Sequence, residues 1–132
     1  MLDCRILVEG RAQYIILMVS DLKLGFLNIY APNSGGARKE FWFKIGSDLP
    51  SVDHWCMVGD FNMIENFDDR IGGSHALIGA TELVTWERLC LSFRLQDAWH
   101  VTSFGRLKDS LNFSQSDRRQ GVNLSRLDKI YI

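Results

Sequence analysis

The sequence predicts an α/β layered domain, and three observations carry the prediction. Short apolar runs of strand length come first, two later stretches repeat apolar residues at helical spacing, and the resulting order is strand–helix–strand–helix–strand. Composition agrees with a single folded domain. Of 132 residues, 46% are apolar and 11% aromatic, with 15 basic against 16 acidic side chains, a balance that disordered chains lack. A chain of this length buries roughly two-thirds of its unfolded surface, so it can fold without staples. Two prolines and eleven glycines exclude collagen-like and proline-rich chains. The longest apolar run, residues 14–19, falls far short of the roughly 20 residues that cross a bilayer.

Residues 5–8, 14–20 and 23–30 are apolar runs separated by Glu9-Gly10-Arg11 and Ser20-Asp21. Connections this short make antiparallel neighbours, because a parallel crossover needs about a dozen residues or more. After the loop Ala31-Pro32-Asn33-Ser34-Gly35-Gly36, the residues Ala37, Phe41, Ile45 and Leu49 recur every four positions up to Pro50. That is one face of a helix which the proline ends. Residues 55–58 form a compact apolar strand running into Gly59-Asp60-Phe61-Asn62. Beyond a polar loop with Gly72, Gly73 and His75, the positions of Leu83, Trp86, Cys90 and Phe93 predict a second helix over residues 81–93. Residues 93–99 read as a turn or short strand carrying Asp97, and residues 127–132 as a last strand.

The near-neutral total hides an asymmetry. Residues 48–69 hold six acidic side chains (Asp48, Asp53, Asp60, Glu65, Asp68, Asp69) and no basic one. Residues 101–132 hold six basic side chains (Arg106, Lys108, Arg118, Arg119, Arg126, Lys129) against three acidic. A carboxylate-rich stretch facing a basic one suits a metal-dependent enzyme acting on a phosphate polymer; two solvated faces would read the same way. Cys4, Cys56 and Cys90 are widely spaced, without a CxxC pair, and are expected to be reduced, intracellular and mostly buried thiols.

Three segments could carry chemistry. In Val58-Gly59-Asp60-Phe61-Asn62, Asp60 and Asn62 lie two apart, so an extended backbone would aim a carboxylate and an amide at one point. A carboxylate can hold a hard cation or accept a proton, and an amide can donate to a phosphoryl oxygen. The same residue types are also ordinary turn formers, and the spacing does not match a calcium loop. In Asn28-Ile29-Tyr30-Ala31-Pro32-Asn33, the proline biases Ala31 to extended geometry and would present Tyr30 and Asn33 on a rigid strand exit. A core aromatic followed by a turn Asn fits equally well. In Ser125-Arg126-Leu127-Asp128-Lys129-Ile130-Tyr131-Ile132, one acid sits in an apolar strand, where it could orient a histidine or pair with Arg126 or Lys129.

In order, NIYAPN, VGDFN and SRLDKIYI resemble the successive signatures of the endonuclease/exonuclease/phosphatase family, magnesium-dependent phosphodiesterases that include apurinic endonucleases. Phe41-Trp42, Gly59-Asp60-Phe61-Asn62-Met63, Asp69-Arg70, Leu95-Gln96-Asp97-Ala98-Trp99-His100 and Arg118-Arg119-Gln120-Gly121 narrow the resemblance to the endonuclease portion of plant LINE-type retrotransposon (reverse transcriptase) proteins. The resemblance implies a DNase I-like fold: a partial α/β sandwich of two packed, mixed, largely antiparallel β-sheets with flanking helices. It also implies a DNA substrate, an Mg (or Mn) cofactor and a nuclear location. By the same resemblance, Asp60 polarises or deprotonates the attacking water, Asn62 hydrogen-bonds the phosphate, and Tyr30 donates to a phosphate oxygen. Asn33 binds the DNA phosphate, Asp128 fixes the tautomer of a catalytic histidine, and Asp97 is mainly structural.

The pattern is incomplete. An Asn and a metal-binding Glu precede the first strand in the family; Glu9 does not match that context. A Ser-Asp-His motif follows the Asp128 strand there, whereas none of His54, His75 and His100 takes that place here. After Phe113-Ser114, where relatives carry Trp, stands Gln115. The expectation is therefore a single domain over residues 1–132 lacking its first and last strands. With no metal ligands assigned it should bind the cation weakly, be inactive or weakly active alone, and aggregate or dock partners through open sheet edges. The alternatives are a non-catalytic nucleic-acid- or protein-binding remnant and, less favoured, a phosphatase of small phosphoesters.

Overall fold

The computed structural model describes residues 1–66, 69–71, 77–102, 118–120, 123–125 and 127–132. Its main layer is a mixed five-stranded sheet in the order β1-β2-β3-β4-β8, built from β1 (Asp3–Val8), β2 (Ala12–Val19), β3 (Leu22–Tyr30), β4 (His54–Asp60) and β8 (Asp128–Tyr131). The N-terminal meander is antiparallel as its short connections require. Ser20 and Asp21 make the β2–β3 turn with φ of +48° and +67°, the paired left-handed conformation of a two-residue hairpin.

Helix α1 (Gly35–Asp48) carries the chain from β3 across to β4, which lies parallel to β3, and β8 returns antiparallel to β4. Ser34 caps α1 by accepting from the Ala37 amide, and the helix stops before Pro50 because the residue preceding a proline is driven to extended backbone. Helix α2 (Ala80–Phe93) ends with Arg94 in the left-handed conformation. The turn or short strand expected over residues 93–99 is a turn at Arg94 and an antiparallel bridge from Asp97 to Tyr131, followed by a short helix α3 (Ala98–Thr102) at whose start Asp97 accepts from the Trp99 amide. Strands β5 (Arg70–Ile71), β6 (Arg118–Gln120) and β7 (Asn123–Ser125) form a small second sheet in the order β5-β7-β6. The class is thus α/β with a mixed, largely antiparallel main sheet. Two sheets packed on one another are not seen among the described residues.

Helices α1 and α2 pack together, and their buried residues share one apolar cluster with one face of the sheet: Tyr14, Leu27, Ile29, Trp55, Met57 and Tyr131 lie against Trp42, Ile45, Trp86 and Leu89. Trp55 lies over Gly25, its partner in the β3–β4 ladder, where a Cβ would come within 2.5 Å of the indole. The helix faces differ in detail from the apolar spacing. On α1 it is Arg38, Phe41, Trp42 and Ile45 that are buried and Ala37 that is exposed; on α2, Glu82 and Leu89 join Trp86. Arg38 and Glu82 can be buried because they neutralise each other. The opposite sheet face leaves Ile6, Ile15, Phe26 and Ile130 exposed. Contrary to expectation the thiols are not deeply buried: Cys4 is exposed on edge strand β1, and Cys56 and Cys90 are half-buried. Among the described residues, no helix is long and apolar enough to cross a membrane.

Candidate functional site

The site forms where three neighbouring strands end. In the parallel β3–β4 ladder Tyr30 is the partner of Asp60, and in the antiparallel β4–β8 ladder Asp60 is the partner of Asp128. Ladder partners project from the same face of a sheet, so the three side chains form a row across adjacent strands spaced about 4.8 Å apart. Buried Met57, Lys129 and Tyr131 fix the helix-side face, which puts the row on the other one. The last pair of the β4–β8 ladder thus sets two carboxylates side by side.

Gly59 makes the geometry possible. Its φ of +134° is closed to residues with a side chain, and a Cβ there would lie 2.0 Å from the Ile29 carbonyl oxygen on the neighbouring strand. Asp60 is consequently buried at the strand's last position.

Asn62 reaches the site by a route that simple alternation does not give. The strand ends at Asp60, and Asn62 adopts a left-handed turn with φ of +49° instead of the extended backbone expected. Its amide N–H donates to Asp60 Oδ1 at 3.0 Å, and its side-chain Nδ2 donates to the Ala31 carbonyl at 2.8 Å. Asn62 therefore stitches the β4 exit to the β3 exit. The Ala31 amide donates to the Asp60 carbonyl, and the Phe61 amide to the Leu127 carbonyl, so all three strand ends are tied together.

Asn33 is exposed in the loop that follows Tyr30, just before the α1 cap. Tyr30 is exposed too, which rules out the core-aromatic reading. Arg11, a turn residue by its sequence context, extends the row by one strand. Its guanidinium stacks over the Tyr30 ring at 5.4 Å from the centroid and donates to the Tyr30 carbonyl. The apolar-polar pattern gave no signal for it; only the β2–β3 register reveals its place.

Lys129 does not pair with Asp128. Fully buried on the helix side, its ammonium donates to Asp69 at 2.9 Å and to Glu65 at 3.2 Å. Glu65 also accepts from Trp86 Nε1 and from the Tyr131 hydroxyl. Two of the six acids in the acidic stretch and one of the basic residues thus form a buried structural cluster, not a polyanion surface. Asp68, His75, Arg106, Lys108, Phe113-Ser114-Gln115, Gly121 and Arg126 lie outside the described residues.

Beside this cluster a cleft of about 360 Å³ is lined by Glu65, Asn66, Trp86, Cys90, Asp97 and Tyr131. Burial, with Glu65 and Glu87 nearby, pushes the Cys90 thiol up to about 12. Burial and then Glu65 push the Tyr131 phenol well above its usual range, and burial raises the Cys56 thiol. These are groups held neutral by packing; Cys90 and Tyr131 lie on the helix side, opposite the Tyr30–Asp60–Asp128 row, whereas Cys56, the ladder partner of Phe26, lies on the row's own face.

No histidine stands by the row among the described residues. His54 opens β4 at the far end from Asp60, and His100 in α3 lies beside Asn66 and Asp97. Nor do three metal-binding side chains gather anywhere among the described residues.

No family model matches the chain. Over 129 residues it is 27% identical to an uncharacterized 149 kDa protein of transposon TX1 from Xenopus laevis, a match covering 95% of this chain and 9% of that protein. Its fold is similar to that of an AP endonuclease from Leishmania major, with a TM-score of 0.57 and 17% identity, covering 93% of this chain and 46% of that one. The chain thus spans less than half the length of either relative. The resemblance carried by the motifs holds at both levels, in a fold shared with an AP endonuclease and consistent with a DNase I-like architecture, and in a transposon protein as sequence relative.

Proposed function

We propose that this chain is a nuclease-like domain of a transposon-encoded protein, of the endonuclease/exonuclease/phosphatase and LINE reverse-transcriptase kind, that binds the phosphodiester backbone of DNA. The observation that carries the proposal is the row Tyr30–Asp60–Asp128, set at one sheet end and flanked by Asn62, Asn33 and Arg11. Phenol, amide and guanidinium groups donate hydrogen bonds to phosphate oxygens, and a carboxylate among them can accept a proton from an attacking water. In this reading Tyr30 and Asn33 hold phosphate oxygens, Asp60 orients or deprotonates the water, and Asn62 supports both. Asp128 is the acid that would orient an imidazole. The proposal extends to a two-layer sandwich, with a second sheet or a docked partner covering the apolar face at Ile6, Ile15, Phe26 and Ile130, and to action in the nucleus.

The residues present do not make a complete magnesium or manganese site. Asp60 and Asp128 supply two carboxylates, but a third ligand is not gathered with them among the described residues, and the Asn62 amide is engaged by Ala31. With no histidine beside the row among the described residues either, the chain alone is expected to bind DNA with salt-dependent affinity and to cleave weakly or not at all.

Incubating the purified chain with supercoiled plasmid and Mg²⁺ or Mn²⁺, beside an Asp60→Ala variant, tests both halves. Salt-dependent binding without Asp60-dependent nicking is expected. Nicking that Asp60→Ala abolishes would overturn the inactivity, and absence of binding at low salt would overturn the DNA assignment. Faster hydrolysis of a soluble phosphoester than of DNA would select a phosphatase instead.

A further inference from the structure

The loop carrying Asn33 is held from behind by a buried ion pair. Arg38 on α1 and Glu82 on α2 lie 44 positions apart in sequence and are both buried. The guanidinium engages the carboxylate through Nε at 2.6 Å and Nη2 at 3.1 Å, and Trp42 Nε1 donates to the same carboxylate. The remaining arm of the fork, Nη1, turns away from Glu82 and donates to the Asn33 carbonyl at 2.6 Å and, more weakly, to the Pro32 carbonyl at 3.4 Å.

With this arm in place, every carbonyl from Tyr30 to Ser34 has a donor. Arg11 serves Tyr30, Asn62 serves Ala31, Arg38 serves Pro32 and Asn33, and the Arg38 amide serves Ser34. Such a segment has little freedom to rearrange. A lysine could not do the same work, because a single ammonium lacks the planar fork that addresses a carboxylate and two carbonyls together. An ion pair used only to join α1 to α2 would have no need of the Asn33 carbonyl.

We propose that Arg38, oriented by Glu82, is a positioning residue that fixes the backbone at Asn33 and so presents the Asn33 amide to a phosphate oxygen. The inference rests on the phosphodiester-binding reading above and names a residue pair, remote from the row, on which that binding depends.

A double-mutant cycle in the full 132-residue chain tests it. Arg38→Met is combined with Glu82→Gln, which leaves no buried charge unpaired and keeps an acceptor for Trp42, so that folding is preserved. The combination is measured with and without Asn33→Ala, reading the Kd for a short fluorescent DNA duplex and the hydrogen-exchange rates of the Ala31 and Ala37 amides. The pair exchange should weaken DNA binding by about tenfold when Asn33 is present and hardly at all when it is Ala, with faster exchange at both amides. Additive losses in the cycle, or unchanged exchange and affinity, would overturn the proposal and leave a helix-joining ion pair. If the unaltered chain binds no DNA, the phosphodiester reading fails by itself, and the exchange rates alone still decide whether Arg38 holds the loop.

Discussion

Asp60 and Asp128 stand directly opposite each other as the last pair of the β4–β8 ladder, so the sheet brings together two acids that lie far apart in sequence. One register position further in, Gly59 faces Lys129, whose ammonium crosses to the helix side and binds two other carboxylates there. Lys129 is thereby turned to the face away from the acids of the row.

Gly59→Ala should destabilise the chain by more than about 2 kcal/mol, because the added methyl meets the Ile29 backbone on the neighbouring strand and the positive φ is strained in addition. Urea unfolding measures this. A midpoint unchanged from the parent would mean that the β3–β4 approach at Asp60 is looser than described.

Lys129→Met should cost about 3–5 kcal/mol, since it removes the buried ammonium that joins Asp69 to the half-buried Glu65. Adding Asp69→Asn to that variant should recover part of the loss. If the two substitutions simply add their costs, the cluster is not coupled in the way its distances imply.

The order of elements and most of their boundaries were legible from the sequence because local rules governed them: alternation and tight turns in the meander, Pro50 at the end of α1, apolar spacing in α2. The site was legible in its residues but not in its geometry. Asp60 and Asn62 looked like an alternating pair on an extended strand, whereas a left-handed turn at Asn62 brings them together. Arg38, Glu82, Lys129 and Arg11 were not legible as partners, because each pairs with a residue distant in sequence. Spacing on one helix or strand carries no information about a carboxylate supplied by another.

Arg11→Ala should lower the slope of log affinity against log salt by about 1, the signature of one lost phosphate contact, under the proposed reading of the site. Binding titrations at several ionic strengths give the slope. An unchanged slope would reduce Arg11 to a support for the Tyr30 ring.

Alkaline stability should reflect the half-buried thiol of α2. The folded state raises Cys90 from 9.0 to about 12, so its contribution is complete below pH 9 and is lost as pH climbs toward 12. Cys90→Ala should flatten the decline measured by denaturant unfolding across that window. At neutral pH, Cys4, exposed on its strand, should be the first thiol to react with a disulfide reagent and Cys90 the last. Equal labelling rates would contradict the packing around α2.

Nuclear magnetic resonance titration of the isotope-labelled chain with a short DNA duplex addresses the row itself most directly. Shift changes concentrated at Tyr30, Asn33, Asp60, Asn62 and Asp128 are the predicted result. Changes centred on the opposite end of β4 around His54, or none at the row while DNA is bound, would contradict the assignment of that sheet end to the phosphodiester.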